Sequence, residues 1–204
     1  REVEWRRDQV LTGIHKAPVS GRVAVRRLNL DGDRQADLKV HGGPDKAVYA
    51  YPVEHYDFWR EQLPASPLPW GAFGENLSIE GLSEQKVRIG DRLRIGSAEL
   101  QVTQPRMPCF KLNARFQRPD MVKRFLAAGR TGFYLAVIKE GELGAGDSIE
   151  WIPTAEAAVT VAEVATLYTS NGSQRDLLRR AIETPRLPQS WRDYFRDRLP
   201  VTSK

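Results

Sequence analysis

Between residues 87 and 103 the chain alternates apolar and polar side chains: Val87-Arg88-Ile89, Leu93-Arg94-Ile95 and Leu100-Gln101-Val102, with glycines at the corners. A period of two sends successive side chains to opposite faces, so this stretch predicts antiparallel strands with one wet face. Further short strands are expected at residues 22–30, 47–51, about 77–79, 132–139 and 148–152, with turns at Gly32 and across residues 141–146. Few helices interrupt them. One is predicted to open at Pro52 and run to about Leu63, because Val53, Tyr56, Trp59 and Leu63 recur every three or four residues and would form its buried face. His55 falls beside that stripe and reads as a partly buried or surface residue rather than a ligand. Short strands with turn signals and so few helices predict a mixed α+β fold, a closed or nearly closed β-barrel with flanking helices rather than a doubly wound sheet.

After Pro153 the pattern changes. Thr160-Val161-Ala162-Glu163 has the form of a capping box, and Val161, Val164 and Leu167 follow at helical spacing. A second helix is expected near residues 173–182. A third starts at Pro188 and buries Trp191, Tyr194 or Phe195, and Leu199. The organisation read from this is a barrel domain at 1–153 and a three-helix extension at 154–204, too small to bury a core alone and so docked on the barrel or on a partner. The basic residues of the extension alternate with Asp176, Glu183, Asp193 and Asp197. No continuous basic face results, which argues against nucleic acid as a partner.

The chain has 204 residues, 41% of them hydrophobic, and a formal charge of +5. It is large enough for a real core, and its charge suits an anionic ligand. It contains neither a run of apolar residues long enough to cross a membrane nor the apolar core of a secretory signal, so a cytoplasmic protein is expected. The chain begins at Arg1 rather than Met, so a short preceding piece is expected to be missing.

A single cysteine, Cys109, lies within QPRMPCFKLNARFQR at residues 104–118. Between residues 104 and 124 six cations, Arg106, Lys111, Arg115, Arg118, Lys123 and Arg124, face one acid, Asp120. Pro108 can occupy the first turn of a helix, which would put Cys109 at a helix N-terminus. Unpaired N–H groups and nearby cations both favour a thiolate, which attacks electrophiles or ligates a soft metal. The alternative is an inert buried thiol, the commonest state of a free cysteine. One cysteine builds no disulfide framework and no ordinary structural zinc site. Two glycine-bearing segments could face it. His41-Gly42-Gly43-Pro44-Asp45-Lys46 is a turn that lets a ligand approach the main chain, flanked by Lys39; Gly71 to Leu77 carries Glu75 and Asn76, which either orient a ligand or bond the local turn.

Read in order, VHGGPDKAVYAYPVEHY, FGENLSIEGL, IGDRLRIGSAELQVTQPRMPCFKL and GFYLAVIKEGELGAGDSI resemble the MOSC domain, specifically the YiiM branch, and the final helices with LPQSWRDYFRDRL resemble that branch's three-helix extension. The resemblance covers nearly the whole chain. It implies a β-barrel holding the molybdenum cofactor (molybdopterin with Mo), with Cys109 as metal ligand, and an oxidoreductase that reduces N-hydroxylated compounds such as base analogues to amines, a detoxifying activity. By the same resemblance His41, Asp45, Lys46, Asn76 and Arg106 line the pocket. Lys39, Gln104 and Lys111 are added as cofactor-binding candidates, and His41 is the expected proton donor. The cofactor would perform the redox step, and an external electron-donating reductase is expected because the chain has no flavin, haem or iron–sulfur signature. The alternatives are a Cys109–His41 nucleophilic dyad, a persulfide carrier, or a cofactor carrier without catalysis. The oligomeric state is left open, a homodimer included.

Overall fold

The computed structural model describes residues 2–5, 8–33, 42–170 and 174–199. Strands β1 (Glu2–Trp5) and β2 (Asp8–Leu11) form a hairpin, followed by β3 (Arg22–Arg26) and β4 (Asn29–Leu30). After a single 3-10 turn at Pro44–Lys46 come β5 (Val48–Pro52), α1 (His55–Gln62) and β6 (Leu77–Ile79). Then follow β7 (Arg92–Ile95), β8 (Ala98–Pro105), α2 (Phe110–Phe116), α3 (Met121–Ala128), β9 (Phe133–Lys139), β10 (Gly141–Gly144) and β11 (Ile149–Ile152). Helices α4 (Val161–Thr169), α5 (Arg175–Glu183) and α6 (Gln189–Asp197) end the chain.

The main sheet runs β11-β7-β8-β9-β5-β6, antiparallel except for the β5–β6 pair, and it curls into a half-barrel with β10-β3-β4 as a separate small sheet. The mixed α+β barrel-type architecture with three C-terminal helices is therefore present. Several local expectations change. Residues 22–30 form a hairpin, not one strand, and 141–144 form a strand rather than only a turn. Residues 87–89 make only an isolated bridge, Arg88 to Thr160. Helix α1 starts at His55, because Pro52 ends β5, where it pairs with Ile79.

Strand β5 explains how the site is placed. All five of its residues are buried, and the two-residue period divides the first four between two cores. Val48 and Ala50 join the barrel core, with Leu93, Leu100, Val102 and Leu135. Tyr49 and Tyr51 join an aromatic core beneath α1, α2 and α3, with Tyr56, Trp59, Phe73 and Phe125. The stacked Trp59 and Phe125 rings, 5.7 Å apart, and the Trp59 N–H to Tyr51 Oη bond of 2.7 Å tie this second core together.

The C-terminal helices belong to the first core. Val161, Val164, Leu167, Leu178, Ala181, Leu187 and Phe195 pack in one apolar cluster with Val87, Ile89, Leu93 and Leu100. The Thr160 capping box forms as expected, with Thr160 Oγ1 accepting from Glu163 N at 3.1 Å and Glu163 Oε2 from Thr160 N at 2.8 Å. Phe195 rather than Tyr194 is the buried aromatic of α6, and Arg198 donates to the carbonyls of Leu167 and Ser170 at the end of α4. Among the described residues, no helix is long and apolar enough to cross a membrane.

Candidate functional site

Strand β8 ends at Pro105, and the next four residues deliver Cys109 as the cap of α2. Cys109 has extended backbone angles and its carbonyl accepts from Leu112 N at 2.9 Å. It stands at a helix N-terminus, as the sequence suggests, but Pro108 precedes the cap instead of entering the first turn. Cys109 is partly exposed.

Three residues upstream, Arg106 is 6% exposed. Its guanidinium lies 5.4 Å from the Tyr49 ring centroid and 5.3 Å from that of Phe125. The backbone fixes it from both sides, since Arg106 N donates to Gly132 O at 3.3 Å and β8 pairs Pro105 with Phe133. Burial works against its charge, but the phenols of Tyr49, Tyr134 and Tyr51 and the Cys109 thiol together hold the proton more firmly than usual. Burial pushes the Tyr49 and Tyr134 phenols up, while the nearby Arg106 cation pulls them down. The Nη1 atom of Arg106 is buried and has no hydrogen-bond partner. Leaving such a donor unmade costs about 1–3 kcal/mol, which an anion bound beside Cys109 would recover.

The turn expected to face this site carries Gly43 at φ 99°, a left-handed conformation that suits glycine. Its Asp45 side chain is exposed, but the Asp45 carbonyl accepts from Thr103 Oγ1 at 2.7 Å and from Gln104 Nε2 at 3.3 Å. Lys46 is half-buried, and burial lowers its proton affinity against the opposing pull of Asp45. Gln104, 4% exposed, also accepts from Trp191 Nε1 at 2.7 Å. Lys111 is partly exposed on α2.

Asn76 has other work. Its Oδ1 accepts from Tyr49 N at 2.9 Å and its Nδ2 donates to Asp33 Oδ2 at 2.7 Å. Glu75 accepts from Gly71 N, Phe73 N and the Tyr56 hydroxyl, so it bonds the local turn. A cleft of about 550 Å³ lies on that side, between Lys16, Asp33, Trp70, Leu30 and Leu143; of the predicted site residues it contains Asn76 and not Cys109. The cation-rich reading of 104–124 also narrows. Arg118 and Arg124 both pair with Asp120 at the surface, Lys123 is exposed, Lys111 and Arg115 are half-buried, and Arg106 is the buried cation of the segment. Lys39 and His41 lie outside the described residues.

A second polar group was missed by sequence reasoning. His55 is buried, not at the surface, and its Nε2 lies 2.8 Å from Glu84 Oε2. Its Nδ1 faces Arg130 Nη1 at 3.2 Å. Arginine only donates, so Nδ1 accepts and the proton sits on Nε2, facing Glu84. Glu84, fully buried, accepts from Gly132 N at 2.6 Å as well. Gly132 thus receives Arg106 on its carbonyl and Glu84 on its amide. Nothing local in the sequence links residues 55, 84 and 132.

A curled half-barrel ending in a thiol at a helix cap beside a buried guanidinium defines a class, and the chain belongs to the MOSC domain family, whose model matches residues 37–150. Residues 159–200 match the YiiM-like 3-alpha helix domain, which places the chain in the YiiM branch. It is 41% identical to YflK of Bacillus subtilis over 97% of this chain and 90% of that protein. It is 39% identical to YiiM of Escherichia coli, over 88% of this chain and 81% of that protein. A protein of Gibberella moniliformis named reductase is 32% identical over 96% of this chain, which spans only 35% of the fungal protein. The crystal structure of YiiM from Geobacillus stearothermophilus superposes with a TM-score of 0.81 at 35% identity, covering 98% of this chain and 94% of that one. YiiM from Escherichia coli gives 0.77 at 33% identity, covering 97% and 90%.

Proposed function

We propose that this protein binds the molybdenum cofactor at the Cys109–Arg106 site and reduces N-hydroxylated compounds, base analogues among them, to the corresponding amines. The observation that carries this reading is the buried Arg106 guanidinium, with an unpartnered Nη1, beside the partly exposed Cys109. The family supplies the cofactor class, and the residues present fit it. In this reading Cys109 would hold the metal through one soft sulfur, and Arg106 and Lys46 would hold the anionic part of the cofactor.

Each residue then has a distinct task. Cys109 provides a soft sulfur ligand at a helix start, where free N–H groups favour the thiolate. Arg106 binds the anionic part of the cofactor through its open donor. Because its proton is held more firmly than usual, Arg106 is a fixed charge and not an acid. Lys46, half-buried on the neighbouring turn, supplies a second cation. When bound, the cofactor supplies the two-electron chemistry. The balance is one N–OH bond converted to N–H with two electrons and two protons, releasing water. The electrons come from an external reductase.

The test is turnover. Cofactor-loaded protein with a reduced viologen dye should convert an N-hydroxylated base to its amine, and Cys109→Ser should abolish conversion. A Cys109→Ser protein that retains both cofactor and full turnover would refute the ligand role.

A further inference from the structure

Thr103 and Gln104 are consecutive residues of a strand, yet both side chains bond one atom. Adjacent strand residues normally point to opposite faces. Here the β8–β9 register slips between Val102 and Gln104, with Val102 opposite Leu135 and Gln104 opposite Tyr134. Thr103 is therefore the extra residue of a β-bulge, a device that re-aims side chains. The burial pattern records the same event: alternation along β8 stops at Val102, and Val102, Thr103, Gln104 and Pro105 are all buried. Thr103 Oγ1 at 2.7 Å and Gln104 Nε2 at 3.3 Å thus converge on the Asp45 carbonyl.

A glutamine amide can sit either way round, and the wrong way would set its oxygen against the Asp45 oxygen. Its neighbour decides. The Trp191 indole nitrogen only donates, and it lies 2.7 Å from Gln104 Oε1. With the oxygen taken by Trp191, the amide nitrogen must face Asp45. Trp191 itself is set by α6. Its amide donates to Pro188 O at 3.0 Å, and its ring packs 5.5 Å from both Tyr168 and Phe195.

We infer that Trp191 is a positioning residue: through the amide of Gln104 the C-terminal helices set the turn that carries Asp45 and Lys46. The extension is then part of the site. Its indole N–H and the bulge jointly fix the backbone at Asp45, and Lys46, the next residue, inherits its place from that bond. The functional consequence rests on the cofactor reading given above, but the brace itself does not.

The experiment uses Trp191→Phe, which keeps an aromatic ring against Tyr168 and Phe195 and removes only the donor, and Gln104→Met, which keeps length and removes both bonds. Amide hydrogen exchange on full-length, cofactor-free protein reads the turn directly. Exchange across residues 45–48 should quicken about fivefold in both variants, the effect of one lost hydrogen bond, while amides of α1 and β7 stay as in the parent. Unchanged exchange at 45–48 in Trp191→Phe would overturn the brace. In protein purified from a cofactor-producing host, both variants should also retain less pterin after dialysis than the parent. Quickened exchange with parental pterin retention would overturn the link to the ligand. A parent without pterin would refute the cofactor reading and leave the exchange result standing.

Discussion

Replacing Glu84 with glutamine changes one atom in the interior and should cost far more than an average substitution. Glu84 is fully buried and its carboxylate meets two donors, Gly132 N at 2.6 Å and His55 Nε2 at 2.8 Å. A glutamine oxygen in the place of Oε1 can still accept from Gly132 N and from His55 Nε2, 3.0 Å away, but its NH₂ group then stands in the place of Oε2, against the His55 N–H and with no acceptor. Moving the His55 proton to Nδ1 only transfers the conflict to Arg130, 3.2 Å away and unable to accept. One buried donor therefore stays unsatisfied in every arrangement, at a cost of about 2–3 kcal/mol with the lost charge–dipole attraction included. For a chain of this size that is a fall in Tm of about 4–12 °C. Urea unfolding of cofactor-free protein, with Glu84→Gln beside the parent, measures it through the midpoint at constant slope. Because Gly132 O also holds the Arg106 amide, exchange at Arg106 should quicken too. A midpoint within about 0.5 kcal/mol of the parent would contradict the tautomer and bonding assigned to this group.

Two further outcomes are expected. A Cβ on Gly132 would stand 2.5 Å from the Ala50 carbonyl oxygen and 2.8 Å from the Tyr49 and Tyr51 rings, at φ 63°. Gly132→Ala should lose more than about 2 kcal/mol, whereas Gly129→Ala, at the same φ with open space around it, should lose only about 1–2 kcal/mol by urea titration. Lys46 titrates below its ordinary value because burial disfavours its charge, with Asp45 opposing. The folded state then sheds this proton before the unfolded state does, so the Lys46 contribution to stability rises with pH from its depressed folded value up to the ordinary lysine range. At pH 8–9 it should acylate faster than surface lysines under limiting anhydride, read by peptide mass spectrometry, and Asp45→Asn should speed it further. A rate equal to the surface average would remove the depressed titration.

The sheet was legible because β7 and the first half of β8 obey a two-residue period that a half-buried strand satisfies, and α4 because Thr160 and Glu163 bond reciprocally across one turn. Cys109 was legible for the same local reason, a cap before a helix. What the sequence hid is non-local. The β8 bulge at Thr103 shows no special residue, since it is specified by pairing with β9. His55 looked peripheral because its partners are 29 and 75 residues away. Asn76 could not be assigned between ligand and turn until Tyr49 and Asp33 were seen to occupy both ends of its amide. Arg118 and Arg124 counted toward an anion site on charge alone, and a shared surface carboxylate removed them.

The most direct test of the central reading is molybdenum and pterin content per chain in protein purified from a host that makes the cofactor, compared with a folded Cys109→Ala protein. The account predicts near-stoichiometric metal and pterin in the parent and loss of metal in the variant. Neither metal nor pterin in a folded parent from a competent host would contradict it and move the chemistry to the thiol of Cys109 itself.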